Sequence, residues 1–388
     1  MNRIYKSAVL LFALNGVAGV LNYLFLLLAA RRLSSSELGD LAFALNLFNL
    51  VMISGSVVQY WSLFSALSRE TLRKCYVASW IAVGIFVSIL LSSGFHLKTI
   101  VWSLVFAVPL SISLQFLVGR FQRGRWFGWF GAGGAVWALC KFGLAWFAQS
   151  GVDFATAIPV ATAVSVSLAL LLPKPEDSAE ANGESSNWVV RLKPALATAL
   201  AHAWLPAFDL VVVRLALGSD TAGHLSKLQL FSKAIYYAPL ALLQISLPIS
   251  IRVLAGGKEK DWPQLVKLER IGISVCFLAV FGVAGLGAWV SESIMGVPGL
   301  TRLELFLACA GVIPLYGLLR AIQLFSASGR MRVPLILLLV SFGSSAVATQ
   351  VHWDSLTAYL AYSATMSFIL GSAGWYLSRQ LLLKNQTR

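Results

Sequence analysis

The chain has 388 residues, of which 58% are hydrophobic and only 12% are charged, with a formal net charge of +14. A soluble domain keeps about 25% charged residues to cover its surface, so this composition excludes an ordinary soluble protein. The mean hydropathy is +0.78, and apolar runs long enough to cross a hydrocarbon core recur along the chain. We therefore expect a polytopic membrane protein.

The apolar runs predict about twelve transmembrane helices in two sets of six. Helices are expected because lipid leaves no water for the backbone groups, and the residue alternation of barrel strands is absent. The first set is placed near 7–30, 38–66, 75–93, 98–119, 127–149 and 154–172. The second set is placed near 194–217, 223–250, 271–291, 303–326, 332–350 and 355–378. The predicted fold class is thus an all-α polytopic membrane protein.

A polar stretch separates the two sets of helices. The segment 173–188 is acidic, rich in Ser, Ala and Gly, and has no apolar period, which is typical of a flexible linker. We predict an N-terminal six-helix bundle over 1–172, a cytoplasmic linker over 173–193, and a C-terminal six-helix bundle over 194–388.

The two halves share short polar connectors at the same ordinal position. The stretch RRLSSSELGDL (31–41) follows the first predicted helix, and LALGSDTAGHL (215–225) follows the seventh. A second echo, QRGRW (122–126) and ASGRM (327–331), follows the fourth helix of each half. Because six is even, the halves are expected to form a parallel repeat, related by an axis along the membrane normal. This is the architecture of an alternating-access transporter.

The basic residues predict the orientation of the helices. The large majority of the thirty Lys and Arg residues fall in the termini and in every second loop, and basic loops face the cytoplasm. Both termini are therefore expected to be cytoplasmic. Anionic membrane lipid beside these loops accounts for the net charge, so we expect no nucleic-acid partner. The apolar run ending at Ala30 is too long for a cleaved signal peptide.

One acidic residue, Asp209, lies well inside an apolar run, and His202 shares its helix face seven residues earlier. Pro206 lies between them and is expected to loosen the helix, which frees carbonyls. A buried acid in a membrane helix faces a cavity or a partner. Asp209 with His202 is therefore predicted to form a proton- or cation-linked gate, or else Asp209 is a structural partner of Arg214 or of a nearby lysine.

Four basic residues lie within or at the ends of predicted helices: Lys141, Lys233, Arg320 and Arg120. Lysine and arginine suit phosphate oxygens, more so away from bulk water. We predict that they line a cationic cavity for a pyrophosphate or acidic sugars. The alternative is snorkelling, in which the stem lies in lipid and the charge reaches the interface, and it is favoured for Arg320 and Arg120.

Amide side chains recur in the first two predicted helices at Asn15, Asn22 and Asn46. Amides bond sugar hydroxyls, which makes these residues candidates for the substrate cavity. They also bond helix to helix in lipid, and this alternative stays open.

The sequence carries no signal for catalysis or for a cofactor. The apolar helices contain no paired carboxylates, no nucleophile beside a base and no glycine-rich phosphate loop. The four cysteines have neither disulfide nor metal-ligand spacing. We expect no enzyme activity, no metal and no cofactor.

Two blocks resemble the polysaccharide biosynthesis or O-antigen flippase family of the multidrug/oligosaccharidyl-lipid/polysaccharide exporter superfamily. They are LNYLFLLLAARRLSSSELGDLAF (21–43) and FDLVVVRLALGSDTAGHLSKLQLFSKAIYYAPLALLQISLPI (208–249). The second is similar to the family's seventh and eighth helices in its acid, apolar run, basic residue, Ala-Gly turn and Pro-ended helix.

The resemblance implies a V-shaped pair of six-helix bundles in the bacterial inner membrane. Its implied activity is to flip a polyprenyl-pyrophosphate-linked oligosaccharide, an O-antigen or exopolysaccharide repeat unit, to the outer leaflet by alternating access. The implied partners are this lipid-linked oligosaccharide, membrane lipid, and the polysaccharide polymerase with its chain-length machinery.

The alternative function is a cation-coupled drug or metabolite exporter of the same fold. Such exporters often carry an Asp in the first helix, where this chain has Asn15 and Asn22. This alternative predicts a less basic cavity and an acid-dependent pump.

Overall fold

The computed structural model describes residues 2–64, 98–123, 127–172, 196–201, 204–205, 207–254 and 261–386, with isolated residues between 73 and 87. This described part contains helices and turns but no strand. Six of its helical segments are long and apolar enough to cross a membrane. The prediction of an all-α, multi-pass membrane protein is confirmed.

The N-terminal unit, Met1–Ala199, contains six long helices in its described part. They are α1 (Asn2–Arg32), α2 (Ser35–Val51), α3 (Ile53–Phe64), α4 (Lys98–Arg123), α5 (Phe127–Ala145) and α6 (Gly151–Leu171). The predicted third span, near 75–93, lies mostly outside the described residues, as does the predicted linker 173–193. The boundaries of that linker therefore stay a prediction.

The N-terminal unit is held together by the packing of α1 on α5 and of α4 on α3 and α6. Phe25 of α1 is 1% exposed and meets Phe154 of α6 edge to face, with ring centroids 5.5 Å apart. Ala29 of α1 and Ala138 of α5 are fully buried, and such small side chains let membrane helices approach closely.

The C-terminal unit, Leu200–Arg388, has seven further helices in its described part. They are α7 (Phe208–Leu217), α8 (Ser219–Leu254), α9 (Asp261–Trp289), α10 (Arg302–Ala310), α11 (Val312–Ala327), α12 (Arg332–Gln350) and α13 (Leu356–Gln386). A π-helical turn, Val290–Ile294, extends α9.

The predicted span 303–326 is matched by the helical segment Arg302–Ser326, in which a single turn residue, Gly311, separates α10 (ending at Ala310) from α11 (beginning at Val312). Pro314 has no backbone N–H, so it cannot donate the helical hydrogen bond to the carbonyl of Ala310. Gly311 between the helices adds its own low helix propensity.

The packing of α11 against α13 depends on glycines. A Cβ atom at Gly371 would lie 2.2 Å from the carbonyl oxygen of Pro314, and one at Gly317 would lie 3.1 Å from the carbonyl oxygen of Gly371. The backbones of the two helices therefore come closer than any larger side chain permits.

Three turns that the sequence places on the outward side begin their next helix with a capping box. Ser34 with Glu37, Ser150 with Asp153, and Thr301 with Glu304 each exchange side-chain and backbone hydrogen bonds. Each box satisfies backbone N–H groups that the first turn of a helix leaves free. The matching connector of the second half (215–225) begins its helix differently. Helix α8 directly follows Gly218, whose φ of 89° is a backbone conformation that favours glycine.

Candidate functional site: a polar cavity in the C-terminal unit

A cavity of about 70 Å³ lies inside the C-terminal unit. Its walls come from α7, α8, α10, α11, α12 and α13, and they are mostly apolar. The polar side chains that line it include Asp209, Gln229, Ser232, Lys233, Ser344 and Ser363.

Asp209 is held by two hydroxyl groups of α13. The hydroxyl of Tyr359 donates to its Oδ1 atom at 2.7 Å, and the hydroxyl of Ser363 donates to the same atom at 2.6 Å. No hydrogen bond from a described residue reaches the second oxygen, Oδ2, and Asp209 lines the cavity. One carboxylate oxygen is therefore fixed by two hydroxyls, while the other receives no hydrogen bond from the described part of the chain.

A helix break places Asp209 at this position. The chain is helical before Leu205, and α7 begins at Phe208, so the loosening expected near Pro206 is seen in the residues on either side of it. Pro206 itself and His202 lie outside the described residues. Asp209 falls in the first turn of α7, where the positive end of the helix dipole favours a carboxylate.

The two hydroxyl donors lie one helical turn apart on α13, so they point to the same side. Tyr359 is fully buried, and its ring packs edge to face on Trp353, with centroids 5.4 Å apart. This packing fixes the tyrosine hydroxyl against Asp209. Sequence reasoning did not single out either donor; their spacing of four in the last predicted helix was the available signal.

Helix α8 contributes two polar side chains, also one turn apart, Gln229 and Lys233. Gln229 is 6% exposed, and its Oε1 atom has no hydrogen-bond partner within the described part of the chain. The ammonium of Lys233 and the carboxylate of Asp209 interact electrostatically across the cavity. The cavity thus combines one negative and one positive group with an unused amide oxygen.

The size of the cavity limits what it can hold. One water needs roughly 10–15 Å³ of such volume, so 70 Å³ holds about five waters or one small hydrated ion. A sugar or a drug does not fit. Among the described residues, no three His, Cys, Asp or Glu side chains come together as a metal site.

Arg214 is half-buried on α7 and is not part of the cavity lining. The hydrogen bonds of Asp209 go to α13 instead. The predicted roles of Asp209, His202 and Arg214 in gating stay predictions.

Lys141 of α5 lies between aromatic rings in the N-terminal unit. It is 7% exposed, and its Nζ atom lies 4.4 Å from the ring centroid of Phe25 and 4.3 Å from that of Trp137. Trp137 is fixed in turn, because its Nε1 donates to Thr162 Oγ1 at 3.0 Å. Cation–π attraction is strongest in desolvated sites such as this one.

Arg320 of α11 is 5% exposed and joins three helices. It forms an ion pair with Glu269 of α9, donates to Ser378 Oγ of α13 at 3.0 Å, and stacks over Trp375 with its Cζ atom 5.0 Å from the ring centroid. Snorkelling, favoured from the sequence, does not describe this buried network. The predicted role of Arg320 in substrate binding stays a prediction.

Of the remaining predicted cavity residues, Asn46 and Asn22 have side chains that the structure describes, whereas Asn15 and Arg120 do not. Asn46 is 3% exposed and donates to the carbonyl of Ala42, in its own helix, at 2.9 Å. The Oδ1 atom of Asn22 is buried, and no described residue forms a hydrogen bond with it. The side chains of Asn15 and Arg120 lie outside the described residues, so their contacts stay predictions.

Comparison with known proteins gives the fold. No family model matches the sequence, and no curated protein matches it. A mutant MATE transporter from Vibrio cholerae superposes with a TM-score of 0.63 at 15% identity, covering 99% of both chains. A MOP superfamily transporter from Pyrococcus furiosus gives a TM-score of 0.67 at 12% identity, covering 98% of this chain and 96% of that one.

A third solved structure, an outward-facing multidrug resistance MATE family transporter of the MOP superfamily, gives a TM-score of 0.61 at 13% identity, over 98% and 96% of the two chains. The chain therefore has the fold of the MATE transporters of the MOP superfamily. The fold expected from the sequence is confirmed, whereas likeness at this level of identity does not show the flippase family.

Proposed function

We propose that the protein is a secondary transporter that exports its substrate by alternating access and is coupled to a monovalent cation at Asp209. The observation that carries this proposal is the position of Asp209, which has one carboxylate oxygen held by two hydroxyls of α13 and lies in the wall of a polar cavity. Ionisable groups inside membrane proteins are costly and mark ion or substrate pathways.

The arrangement supports coupling because the bonds of Asp209 join α7 to α13. Both hydroxyls donate to an ionised carboxylate, and hydrogen bonds to a charged acceptor are the stronger kind. A proton or cation at Asp209 neutralises its charge and so weakens the hydrogen bonds that it accepts from Tyr359 and Ser363. An ion shifts a conformational equilibrium only through such differential interaction with the two states.

The proposed substrates are organic cations, which would bind outside this cavity because its volume of about 70 Å³ admits only small ions. Support comes from the fold, since one solved neighbour is a multidrug resistance transporter. The alternative raised by the sequence, a cation-coupled exporter, is thus the function that the findings favour over the flippase.

The test is efflux of ethidium from cells that express Asp209→Asn. This variant keeps the size of the side chain and removes its charge, so we expect efflux to fall at least about tenfold, as for loss of a group used in every cycle. The matched control is Asp354→Asn, which removes an exposed carboxylate of the same unit. Wild-type efflux by Asp209→Asn, at equal membrane levels, overturns the proposal.

A second candidate is the flippase for a polyprenyl-pyrophosphate-linked oligosaccharide. The observation that favours it is Lys141, whose buried ammonium contacts two aromatic rings and has no acidic partner among the described residues. A pyrophosphate suits such a group. The solved neighbour from Pyrococcus furiosus is reported with a binding pocket of reversed polarity that suggests a different function.

The two candidates separate in cells deleted for the gene. Complementation with Lys141→Ala is expected to trap lipid-linked precursor on the cytoplasmic face if the flippase is correct, while the exposed control Lys267→Ala restores surface polymer. Normal polymer in the deletion strain, combined with sensitivity to small toxic cations, excludes the flippase and supports the exporter.

A further inference from the structure

Two opposite charges line the cavity of the C-terminal unit without a direct bond between them. Asp209 and Lys233 interact electrostatically, yet Asp209 takes both of its described hydrogen bonds from Tyr359 and Ser363. No described residue forms a hydrogen bond or an ion pair with the ammonium of Lys233. The two charges therefore stand apart, and each has bonding capacity left for a ligand.

The same walls present further polar atoms that a ligand can use. The Oε1 atom of Gln229 is buried and has no hydrogen-bond partner within the described part of the chain, and such an atom is costly to leave unsatisfied. It accepts hydrogen bonds, as does the carboxylate of Asp209. The ammonium of Lys233 and the lining hydroxyls of Ser341 and Ser367 can donate them. The cavity thus offers acceptors for an N–H group and donors for a carboxylate.

The charges favour a ligand that carries both signs. A cation drawn to Asp209 is repelled by Lys233, and an anion drawn to Lys233 is repelled by Asp209. A zwitterion whose ammonium lies toward Asp209 and whose carboxylate lies toward Lys233 gains both attractions and meets neither repulsion at close range. It therefore binds more favourably than a lone ion of either sign.

The size of the cavity narrows the class of zwitterion. Its volume of about 70 Å³ holds about five waters, and glycine has that number of non-hydrogen atoms. Alanine adds one methyl group, whereas leucine exceeds the space. The head group of phosphatidylethanolamine carries the same two kinds of charge, but its phosphate and ethanolamine together are also too large.

We propose that this cavity binds a small zwitterionic amino acid, of the size of glycine or alanine. Its ammonium lies at Asp209 and Gln229, and its carboxylate lies at Lys233. A ligand bound in this way occupies the carboxylate of Asp209, so it competes with the coupling cation of the proposed function.

The test is equilibrium dialysis of the purified full-length protein against radiolabelled glycine up to about 10 mM. We expect saturable binding of about one glycine per chain, which unlabelled alanine displaces. Methylammonium and acetate each carry one of the two charges, and neither is expected to displace glycine at the same concentration. Leucine and phosphoethanolamine are expected to fail because of their size.

Two substitutions locate the binding. Asp209→Asn and Lys233→Met are each expected to weaken glycine binding at least about tenfold, because each removes one charge-assisted contact. The controls Asp354→Asn, which removes an exposed carboxylate, and Lys227→Met, which removes a lysine outside the lining, are expected to bind glycine as the wild type does. Lys233→Gln is the second neutral variant if Lys233→Met does not fold, and the ligand series on the wild type needs no variant.

Four results overturn the inference. They are no saturable glycine binding by the wild type, displacement by methylammonium or acetate as strong as by alanine, stronger displacement by phosphoethanolamine than by alanine, and wild-type binding by both Asp209→Asn and Lys233→Met. The proposed function is decided separately, since ethidium efflux by Asp209→Asn tests coupling and the glycine titrations do not.

Discussion

Removal of Glu269 is expected to destabilise the C-terminal unit severely. Its carboxylate pairs with Arg320, and the two side chains are 12% and 6% exposed. Since both are well below a third exposed, solvent screens the pair little. Breaking one partner of a buried pair costs about 3–5 kcal/mol, because the other charge stays buried without its counter-charge.

A double variant separates the cost of leaving one charge buried and unpaired from the contribution of the ion pair itself. Replacing both residues by apolar side chains of similar volume, Glu269→Leu with Arg320→Met, is expected to recover most of the loss, since such replacements are often neutral or stabilising. The interaction energy from the double-mutant cycle is then about 2–3 kcal/mol. The bond of Arg320 to Ser378 and its stacking on Trp375 are lost in both arms that lack Arg320, so they cancel in the cycle.

The assay is chemical unfolding in detergent, followed by tryptophan fluorescence, with ethidium efflux measured in parallel. The reasoning is wrong if Glu269→Gln is as stable as the wild type, or if the single costs add in the double variant. A double variant that regains stability without regaining transport shows instead that the charged pair is needed for transport as well as for stability.

Three further changes test the packing and the site. Gly371→Ala places a methyl group against the Pro314 carbonyl. This overpacking is expected to lower the free energy of unfolding by about 1–3 kcal/mol in the same unfolding assay. The control is Gly343→Ala, which has open space around it and is expected to be neutral or stabilising. Arg32→Gln removes donors to the carbonyls of residues 145, 146 and 148 and is expected to cost about 1–3 kcal/mol; an unchanged unfolding midpoint contradicts this. Tyr359→Phe removes one of the two hydroxyl groups that donate to Asp209. It is expected to lower ethidium efflux about tenfold while leaving protein levels unchanged. If the variant transports ethidium at the wild-type rate, this hydrogen bond has no part in coupling.

The fold was predictable from the sequence because it depends on features that each segment carries alone. Apolar runs, basic loops and turn residues place the helices without knowledge of their partners. The Ser34–Glu37 turn begins α2 as its residue types lead one to expect. The turn at Gly311 was not predicted, since the run 303–326 is long and mostly apolar, although Pro314 in it was a usable signal.

The site was predictable only in part. Asp209 stood out because an acid in an apolar run is rare. Its partners did not, because Tyr359 and Ser363 lie 150 and 154 residues further along the chain and hydroxyls are common in membrane helices. Arg320 is a similar case, since one sequence does not give the register of α11 against α9. Contacts between distant helices need the three-dimensional structure.

The measurement that tests ion coupling at Asp209 most directly is ethidium uptake into proteoliposomes under an imposed pH gradient. The account predicts that wild-type protein accumulates ethidium against its gradient and that this accumulation collapses when the pH gradient is dissipated. Asp209→Asn is predicted to abolish it, and the exposed control Asp354→Asn to preserve it. Uphill accumulation by Asp209→Asn at the wild-type level contradicts the account.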